Sequence, residues 1–563
     1  MLDFDVILDH VGNFGRYQAV LCIMIYYLIC STSMHMFAPV FYAYSTPHRC
    51  RFPQIDDPHT FSDLNENDIL NLTTPFDEKS AEYDTCHRYS YNLSQCHSAI
   101  QCIIKNNTER CLDGHVFDRF DFVETTVSEW HLICDRDYLN TLESSLYFVG
   151  MMIGGLVVGF LADRFGRKPV LLLCCMGIMI FGTISSVVPW FPLFVVTRFL
   201  VGICTNGQDF VAQVYVMEVT GRKHTTASLM GQAAFGIGIM INSFFAYFIR
   251  EWRYFYLALS LFPAPFLIFC YFIPESPRWH ISKSQDEIGK QMAINFAKRN
   301  GKEITEAVWN KAEMPIEEIG ETFTEKYSAL DLFKGRRIRF VTICVNICWF
   351  TTWLTSIGLS LNVGNVAGDI YFNNALNGII SLVCSILLIF VVDRISRRYL
   401  LGGSMLLTAS SGLGNFFVIY FGNHISALET VSRVLTFVAY IGSWIVVVVL
   451  FMYTAELYPT VVRSNGLGVS TVAASLGSIL APIVISTSHL WLPSLMFGLL
   501  SIIAGALFFR LPETINRPMT ETLEEADHFY VGRSTLRQKQ CNSFSHSVLS
   551  VVSDSELTTT QSS

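Results

Sequence analysis

The chain has 563 residues, of which 51% are hydrophobic and 15% are charged. An average soluble domain carries about a quarter charged residues, so this composition excludes a disordered chain and argues against a soluble multidomain enzyme. The formal net charge is −8, and the sequence has no basic region of the kind that binds nucleic acid. The composition therefore favours a membrane protein without a nucleic-acid partner.

Twelve apolar stretches are each long enough to cross the roughly 30 Å hydrocarbon core of a bilayer as a helix. The segment 1–16 is acidic and lacks the positive charge that begins a signal peptide, so we expect the first helix to anchor the chain. The sequence thus predicts an all-α membrane protein with twelve transmembrane helices embedded in lipid. The predicted spans are 17–43, 141–161, 169–189, 192–217, 225–249, 254–273, 340–361, 370–392, 400–421, 430–454, 465–487 and 490–509.

The segment 44–140, between the first two spans, is more polar than the spans that flank it. It contains 17 Asp and Glu against 8 Lys and Arg, six cysteines and three N-x-S/T sequences. An even number of cysteines in a polar segment favours disulfides in an oxidising compartment, and the glycan acceptors point the same way. We therefore predict an extracellular, glycosylated loop with three disulfides. The cysteines are Cys50, Cys86, Cys96, Cys102, Cys111 and Cys134, and the glycan acceptors are Asn71, Asn92 and Asn106.

Lys and Arg concentrate in alternate connections between the spans. The positive-inside rule places such connections in the cytoplasm. We therefore expect the N-terminus 1–16, the connection 274–339 and the tail 510–563 to be cytoplasmic. The connection is expected to contain a short helix around 286–300, and the tail is expected to be disordered.

The two halves of the chain repeat each other. Glu218 and Glu456 end matching spans and lie 238 positions apart, as do Pro274 and Pro512. Duplicated six-span halves are typical of transporters, whose substrate site lies at the interface of the halves near the membrane midplane. We therefore predict two six-helix pseudo-repeats. The first half comprises 17–43 with 141–273, and the second comprises 340–509.

A charged cluster also recurs, after the second and the eighth spans. Arginines at this level lie among lipid headgroups, where they can pair with acids at neighbouring helix ends. Two interpretations are open: a gate that closes the cytoplasmic side, or simple anchoring by the positive-inside rule. The repetition favours the gate. The predicted gating residues are Asp163, Arg164, Gly166, Arg167, Lys168, Glu218, Asp393, Arg394, Arg397, Glu456 and Arg463.

Five strings of the sequence resemble those of known transporters. Gly159–Lys168 resembles the loop 2–3 motif of the major facilitator superfamily, and Arg198-x-x-x-Gly202 resembles its second motif. Over about residues 1–515 the chain resembles the organic cation/anion/carnitine transporter family of solute carriers. This resemblance implies a plasma-membrane carrier, secondary-active or facilitative, that moves small organic ions by alternating access without a cofactor. The strings that narrow the family are Thr126–Asp135, Pro274–Trp279 and Ala455–Arg463.

Asp209 is the clearest ionisable residue at membrane depth. It lies nine residues before Glu218, or about 13 Å along a helix, which places it near the midplane. An acid at this depth is a candidate anchor for a cation or a proton. The alternative is a structural partner of a polar neighbour such as Asn206 or Gln208. Arg198 lies three turns away on the same face. His35 in the first span is a candidate proton site, but a hydrogen-bonded structural histidine is the favoured interpretation.

Further cavity residues follow from the resemblance and from aromatic spacing. Gln232, Phe235, Trp349 and Tyr371 match cavity positions of the family, and Trp353 lies one turn after Trp349. Rings of this kind can bind a cation through cation–π contacts. We therefore predict that Asp209 and these five residues contact substrate.

Two serines depart from the family pattern. Where we align Ser475, cation-transporting members have a carboxylate, and anion and carnitine members have an arginine. Where we align Ser381, most members have a glutamate. Since no arginine or lysine is expected at cavity depth in the second half, Asp209 favours small organic cations or zwitterions as substrates. A co-transported Na⁺ or proton is an open possibility.

Other classes fit the sequence less well. The chain has no G-x-x-x-x-G-K-[ST] for ATP and no H-E-x-x-H metal motif, so we predict neither an enzyme nor a metal site. An organic anion transporter of the same family is one alternative. A transporter-like sensor or channel that accumulates no solute is the other.

Overall fold

The computed structural model describes most of the chain. Cys96, Cys102 and the glycan acceptor Asn92 lie outside the described residues, so the third predicted disulfide is not addressed by the structure. Most of the predicted tail also lies outside them. The described residues are 4–11, 14–52, 56, 66–77, 82–91, 103–221, 224–283, 285–304, 308–309, 329–422, 426–487, 489–515, 520 and 523–530.

The first half forms six membrane-length helical segments, which we number spans 1 to 6. Span 1 continues past Ala38 as a short helix, and span 6 consists of two helices separated near Pro263. The break in span 6 was not expected from its apolar run. It follows from Pro263 and Pro265, because proline lacks the N–H that a helix interior needs. The spans are Arg16–Phe37 with Pro39–Tyr42, Asp137–Phe165, Arg167–Val187, Phe191–Thr220, His224–Phe248, and Trp252–Leu261 with Pro265–Phe272.

The second half forms spans 7 to 12. Eleven described helices are long and apolar enough to cross a membrane. The remaining predicted span, span 4, is a 30-residue helix that carries Arg198, Asp209 and Glu218, and these charges lower its hydropathy. The helical, multi-pass architecture is thus confirmed. The spans are Arg336–Leu361, Ile370–Val391, Arg397–Phe421, Ser426–Leu457, Arg463–Ile485 and Trp491–Arg510.

Glycines allow close packing of span 2 against span 4. A Cβ on Gly154 would lie 2.2 Å from the carbonyl oxygen of Ile203, and one on Gly202 would lie 2.4 Å from that of Tyr147. Helices in a bilayer gain contact mainly where small residues let their backbones approach. This packing fixes the position of span 4, which carries Asp209.

The loop between spans 1 and 2 contains three small antiparallel sheets, so the all-α prediction holds for the bundle and not for the loop. Strand β1 pairs with β6, β2 with β3, and β4 with β5. Two disulfides, Cys50–Cys111 and Cys86–Cys134, tie these strands together. The strands are β1 His48–Cys50, β2 Phe76–Asp77, β3 Glu82–Tyr83, β4 His87–Tyr91, β5 Ile103–Arg110 and β6 His115–Phe117, and the short helices here are Glu66–Thr73, Thr126–Trp130 and Cys134–Arg136.

Short helices also cover the opposite end of the bundle. The predicted helix around 286–300 is present as Asp286–Arg299. The predicted disordered tail is partly corrected, since Leu523–Tyr530 forms a helix in which Ala526 is fully buried. We call this end the arginine end, after Arg167 and Arg397, and the other the loop end. The remaining helices at the arginine end are Phe4–Val11, Pro277–Ser282, Ala329–Phe333 and Thr460–Val462, whereas Asn362–Asn365 follows span 7 at the loop end.

The halves meet closely near the loop end. Asn374 donates a hydrogen bond to the Ser243 hydroxyl at 2.8 Å, and Ser145 donates one to the carbonyl oxygen of Ile479 at 3.1 Å. Phe41 of span 1 stacks on Tyr371 of span 8 with ring centroids 5.6 Å apart. These contacts close the space between the halves toward the loop end.

Candidate functional site

A cavity of about 200 Å³ lies between the two halves. Its wall combines residues of spans 1, 2, 4 and 5 with residues of spans 7, 10 and 11. The structure brings together five of the six predicted binding residues and adds Ser475. The predicted residues that line it are Asp209, Gln232, Phe235, Trp349 and Trp353.

Asp209 is the only ionisable residue among the described residues that line the cavity. Its Oδ2 accepts a hydrogen bond from the Gln213 side chain at 2.9 Å, one turn further along span 4. Its Oδ1 is buried and has no hydrogen-bond partner. The neighbouring Asn206 donates instead to the carbonyl oxygen of Met151 at 2.6 Å. Asp209 therefore has a polar neighbour as a partner, Gln213 in place of Asn206 or Gln208, while its second carboxylate oxygen has no hydrogen-bond partner. Both the substrate anchor and the structural role stay open.

Aromatic rings form much of the remaining wall. The Trp349 Nε1 donates to the Thr454 hydroxyl at 2.9 Å, which fixes the orientation of the indole beside the cavity. On the opposite half, the Phe235 ring lies 5.6 Å from that of Trp444. Trp444 and Phe451 also line the cavity and were not predicted, because an aromatic residue in an apolar span has no pattern that separates a cavity position from a packing position.

Tyr371 is not among the residues that line the cavity, which corrects its predicted place there. Besides stacking on Phe41, its hydroxyl donates to the carbonyl oxygen of Asp121 at 3.0 Å. Its ring also contacts Phe122 and Tyr247. In this arrangement Tyr371 belongs to the closure at the loop end, because the halves meet there above the cavity.

The two serines that depart from the family pattern have different positions. Ser475 lines the cavity, and its hydroxyl donates to the carbonyl oxygen of Thr471 at 2.9 Å. Ser381 lies behind the wall, where its hydroxyl is 2.8 Å from that of Tyr440 and its carbonyl oxygen accepts from the Trp444 indole. Ser381 therefore supports the wall, and only Ser475 faces the space.

Arg198 has a structural setting toward the loop end of span 4. It is fully buried, and its Nε donates to Glu143 at 2.8 Å. Three tyrosine rings surround the guanidinium, the closest being Tyr147 at 4.2 Å. His35 is also fully buried and lies 5.6 Å from the Tyr256 ring, without a hydrogen-bond partner for either nitrogen. Neither Arg198 nor His35 lines the cavity.

The predicted gating residues of the first half form one network at the arginine end. Arg167 pairs with Glu218 at 2.8 Å and with the exposed Asp163 at 3.1 Å. Glu275 accepts hydrogen bonds from the backbone N–H groups of Arg167 and Lys168, the first residues of span 3. Gly166 makes the turn before them at φ 105°, a conformation that residues with a side chain rarely adopt. A Cβ there would also lie 2.5 Å from the Glu275 carboxylate.

The second half repeats this network. Arg397 pairs with Glu456 and lies 3.8 Å from Asp393, and Glu513 accepts from the backbone N–H groups of Arg397 and Arg398. The hydroxyls of Tyr215 and Tyr453 donate to the carbonyl oxygens of Pro274 and Pro512, respectively. The predicted duplication is therefore present as duplicated contacts.

The predicted partners of Arg167 and Arg397 are present, and the gating role of these pairs stays a prediction. Each of these pairs joins helix ends within one half, so in this structure the pairs do not link the two halves. Arg164 and Arg394 are exposed, and the Arg164 guanidinium lies 5.4 Å from the Phe165 ring. Arg463 donates to the carbonyl oxygen of Tyr458 at 3.4 Å.

Two of the predicted glycan acceptors are described. Asn71 lies on the helix Glu66–Thr73, is exposed and accepts a hydrogen bond from the Tyr83 hydroxyl. Asn106 lies within strand β5. Glycosylation of these residues stays a prediction.

Comparison with known proteins agrees with this geometry. Residues 87–526 match the sugar (and other) transporter family. The chain is 31% identical to the organic cation transporter protein of Drosophila melanogaster, over 94% of this chain and 95% of the relative. It is also 31% identical to solute carrier family 22 member 16 of Bos taurus, covering 93% and 94% of the two chains.

Relatives with the opposite substrate class are present as well. The chain is 28% identical to organic anion transporter 3 of Oryctolagus cuniculus, over 96% of both chains. A similar fold is found in the Escherichia coli xylose transporter XylE in a partially occluded inward-open conformation, with a TM-score of 0.57 and 17% identity over 91% of this chain and all of that one. The matches indicate a multi-pass membrane transporter of organic ions. The chain therefore belongs to the organic cation/anion/carnitine transporter family of solute carriers, within the major facilitator superfamily.

Proposed function

We propose that this chain carries small organic cations or zwitterions across the plasma membrane by alternating access. One observation above all others supports a positive charge on the substrate. Asp209 lines a cavity that has no other described ionisable residue, and one of its carboxylate oxygens has no hydrogen-bond partner. An organic cation would compensate this buried charge, whereas an organic anion would add a second negative charge.

The aromatic wall supports the same proposal. Trp349, Trp353 and Phe235 border the space beside Asp209. A cation over such a ring gains ~0.5–2 kcal/mol, more where water is excluded. Rings without fixed charges also tolerate ligands of different shapes, which fits a polyspecific carrier. Both termini are proposed to be cytoplasmic, so the loop end faces outside.

Uptake by cells that express the protein tests this function. The panel contains a labelled quaternary ammonium, a betaine zwitterion and an aromatic carboxylate, each measured with and without Na⁺ and a pH gradient. We expect saturable uptake of the first two, and the gradients identify any co-transported ion. Asp209→Asn should reduce this uptake strongly at unchanged surface expression, while Glu287→Gln, at an exposed acid outside the bundle, should not.

Each other outcome favours a rival function. Preferential uptake of the carboxylate would indicate an organic anion transporter. A ligand-gated current without accumulation would indicate a channel or sensor. Normal cation uptake by Asp209→Asn would remove this carboxylate from substrate recognition.

A further inference from the structure

We propose that a second pocket, at the arginine end of the second half, binds a phosphate-bearing anion. This pocket has a volume of about 500 Å³ and is separate from the central cavity. It lies where span 7 begins and span 12 ends. The residues that line it are Arg336, Arg337, Phe340, Val341, Arg510, Pro512 and Tyr530.

The charge of this pocket indicates the class of ligand. Three of the seven lining residues are arginines and none is an acid. All three arginine side chains are exposed. A ligand with one carboxylate would compensate only one of the three guanidinium charges. A phosphate monoester carries a charge of about −1.5 to −2 and offers three acceptor oxygens. Guanidinium groups bind such oxygens in bidentate geometry.

The backbone at this site also favours an anion. Arg336 and Arg337 are the first two residues of span 7, and the first turn of this helix contains no acidic residue. The N-terminus of a helix carries a partial positive charge, so two arginines there are placed unfavourably. A bound anion would offset both the arginines and the N–H groups of the first turn.

The pocket combines this charge with an apolar wall at the membrane boundary. Phe340 is 49% exposed and lies one turn into span 7, next to the buried Val341. Span 12 ends at Arg510, so both helices leave the apolar region at this level. Basic pockets between transmembrane helices are suited to the headgroups of anionic lipids. A lipid headgroup and a free phosphate compound share the chemistry that this site requires.

The helix Leu523–Tyr530 covers one side of the pocket. Tyr530 lines the pocket and its hydroxyl donates to the carbonyl oxygen of Leu457, the last residue of span 10, at 3.2 Å. Leu523 packs against a buried cluster formed by Leu332, Ile338, Tyr458 and Val462. A ligand in the pocket would therefore contact the bundle and the start of the tail together, and its occupancy would hold this helix in place.

Thermal unfolding of the purified full-length protein in detergent tests the proposal. The probes are dioctanoyl phosphatidylinositol 4,5-bisphosphate, dioctanoyl phosphatidylcholine and inositol trisphosphate. We expect the phosphoinositide to raise Tm and phosphatidylcholine not to, because ligands of the folded state shift unfolding upward. A matching shift with inositol trisphosphate would identify a free phosphate compound as a sufficient ligand, and its absence would assign the site to lipid.

Matched variants show whether the pocket is responsible. In Arg336→Gln/Arg510→Gln, the concentration for half the Tm shift should rise about tenfold or more, as expected for lost charge-assisted hydrogen bonds. Lys283→Gln/Arg339→Gln removes the same charge from exposed positions outside the pocket and should keep the wild-type value.

If the double variant unfolds, the single variants Arg336→Gln and Arg510→Gln are compared in its place. The proposal is overturned if no phosphate compound shifts Tm. It is also overturned if the shift persists unchanged in the pocket variants, or falls equally in the control pair.

Discussion

Two charged residues of span 4 have opposite surroundings, although the sequence shows them three turns apart on one face. Arg198 is paired with Glu143 and enclosed by tyrosine rings, whereas Asp209 keeps one oxygen without a partner. The first arrangement compensates a buried charge within the first half, and the second supports the proposed role of Asp209 in binding a cation. The sequence could not separate these roles, because Glu143 and the rings come from spans 1, 2 and 6.

The buried ion pair makes a prediction about stability. Glu143→Gln should destabilise the protein by about 3–5 kcal/mol, because the buried Arg198 would lose its counter-charge. The comparison is Asp163→Asn, which removes a partner of Arg167 whose side chain is 73% exposed and should cost less than about 1 kcal/mol. Thermal unfolding of the purified variants measures both effects. Equal Tm values for the two variants would contradict this assignment of Arg198.

The aromatic wall makes a prediction about affinity. Trp353→Ala should raise the KM for a quaternary ammonium roughly 2–30-fold, the equivalent of ~0.5–2 kcal/mol for one cation–π contact. Trp353→Phe should recover part of the loss, because a smaller aromatic face remains. An equal KM in wild type and Trp353→Ala would show that this ring does not contact the cation.

Individual cavity residues were predictable to different extents. Asp209 stands out in an apolar span, and Trp349 and Trp353 share one face by their spacing. Trp444 has no such signal. The resemblance predicts Tyr371 in the cavity because it assigns only a position on a helix, whereas the contacts of the ring, such as its stacking on Phe41, decide which space it meets.

At the scale of elements, the same cap is built twice. The Glu275 carboxylate accepts hydrogen bonds from the first N–H groups of span 3, and the Glu513 carboxylate accepts them from those of span 9. Unpaired N–H groups at a helix start need such acceptors, and a carboxylate also suits the positive end of the helix dipole. The sequence predicted the repeat of Pro274 and Pro512, which directly precede these glutamates, and assigned the neighbouring charges to a gate on the cytoplasmic side. The structure shows that Arg167 and Arg397 each pair with a glutamate of their own half.

The second cap makes a prediction about pH. Burial acts to raise the pKa of Glu513, but hydrogen bonds from the Ser396 hydroxyl and from the backbone N–H groups of Ile515, Arg398 and Arg397 outweigh it and lower the pKa. The lowered pKa stabilises the fold above the ordinary carboxyl pKa of about 4.3, and this contribution is lost as pH falls through the folded value.

Glu513→Gln should therefore lower Tm at neutral pH and flatten its fall below about pH 4.3, where wild type loses the cap. Glu287→Gln, at an exposed acid, serves as the control and should follow wild type. Parallel curves of Tm against pH for wild type and Glu513→Gln would contradict the cap.

At the scale of the whole molecule, the halves touch near the loop end, beyond the cavity. The composition and the 238-residue repeat were enough to predict twelve helices in two halves. They could not predict which end is closed, because that depends on contacts between distant spans, such as Ser243 with Asn374. The small sheets of the loop were also missed, because its short strands lie among cysteines and charges without a regular alternation.

This closure makes a prediction about transport. Ser243→Cys/Asn374→Cys, oxidised to a disulfide, should stop uptake, because the loop end could no longer open to admit substrate. Each single cysteine variant, oxidised in the same way, should transport as before. Full activity of the oxidised double variant, with the crosslink verified by mass spectrometry, would show that the halves need not separate there.

Transport by purified protein in sealed proteoliposomes shows whether the chain is a cation carrier that depends on Asp209. The measurement is counterflow of a labelled quaternary ammonium against an excess of unlabelled compound, for wild type and Asp209→Asn side by side. We predict saturable accumulation by wild type, no response to an aromatic carboxylate, and little accumulation by the variant. A vesicle preparation in which wild type moves no organic cation, or in which Asp209→Asn moves it equally well, would contradict the account.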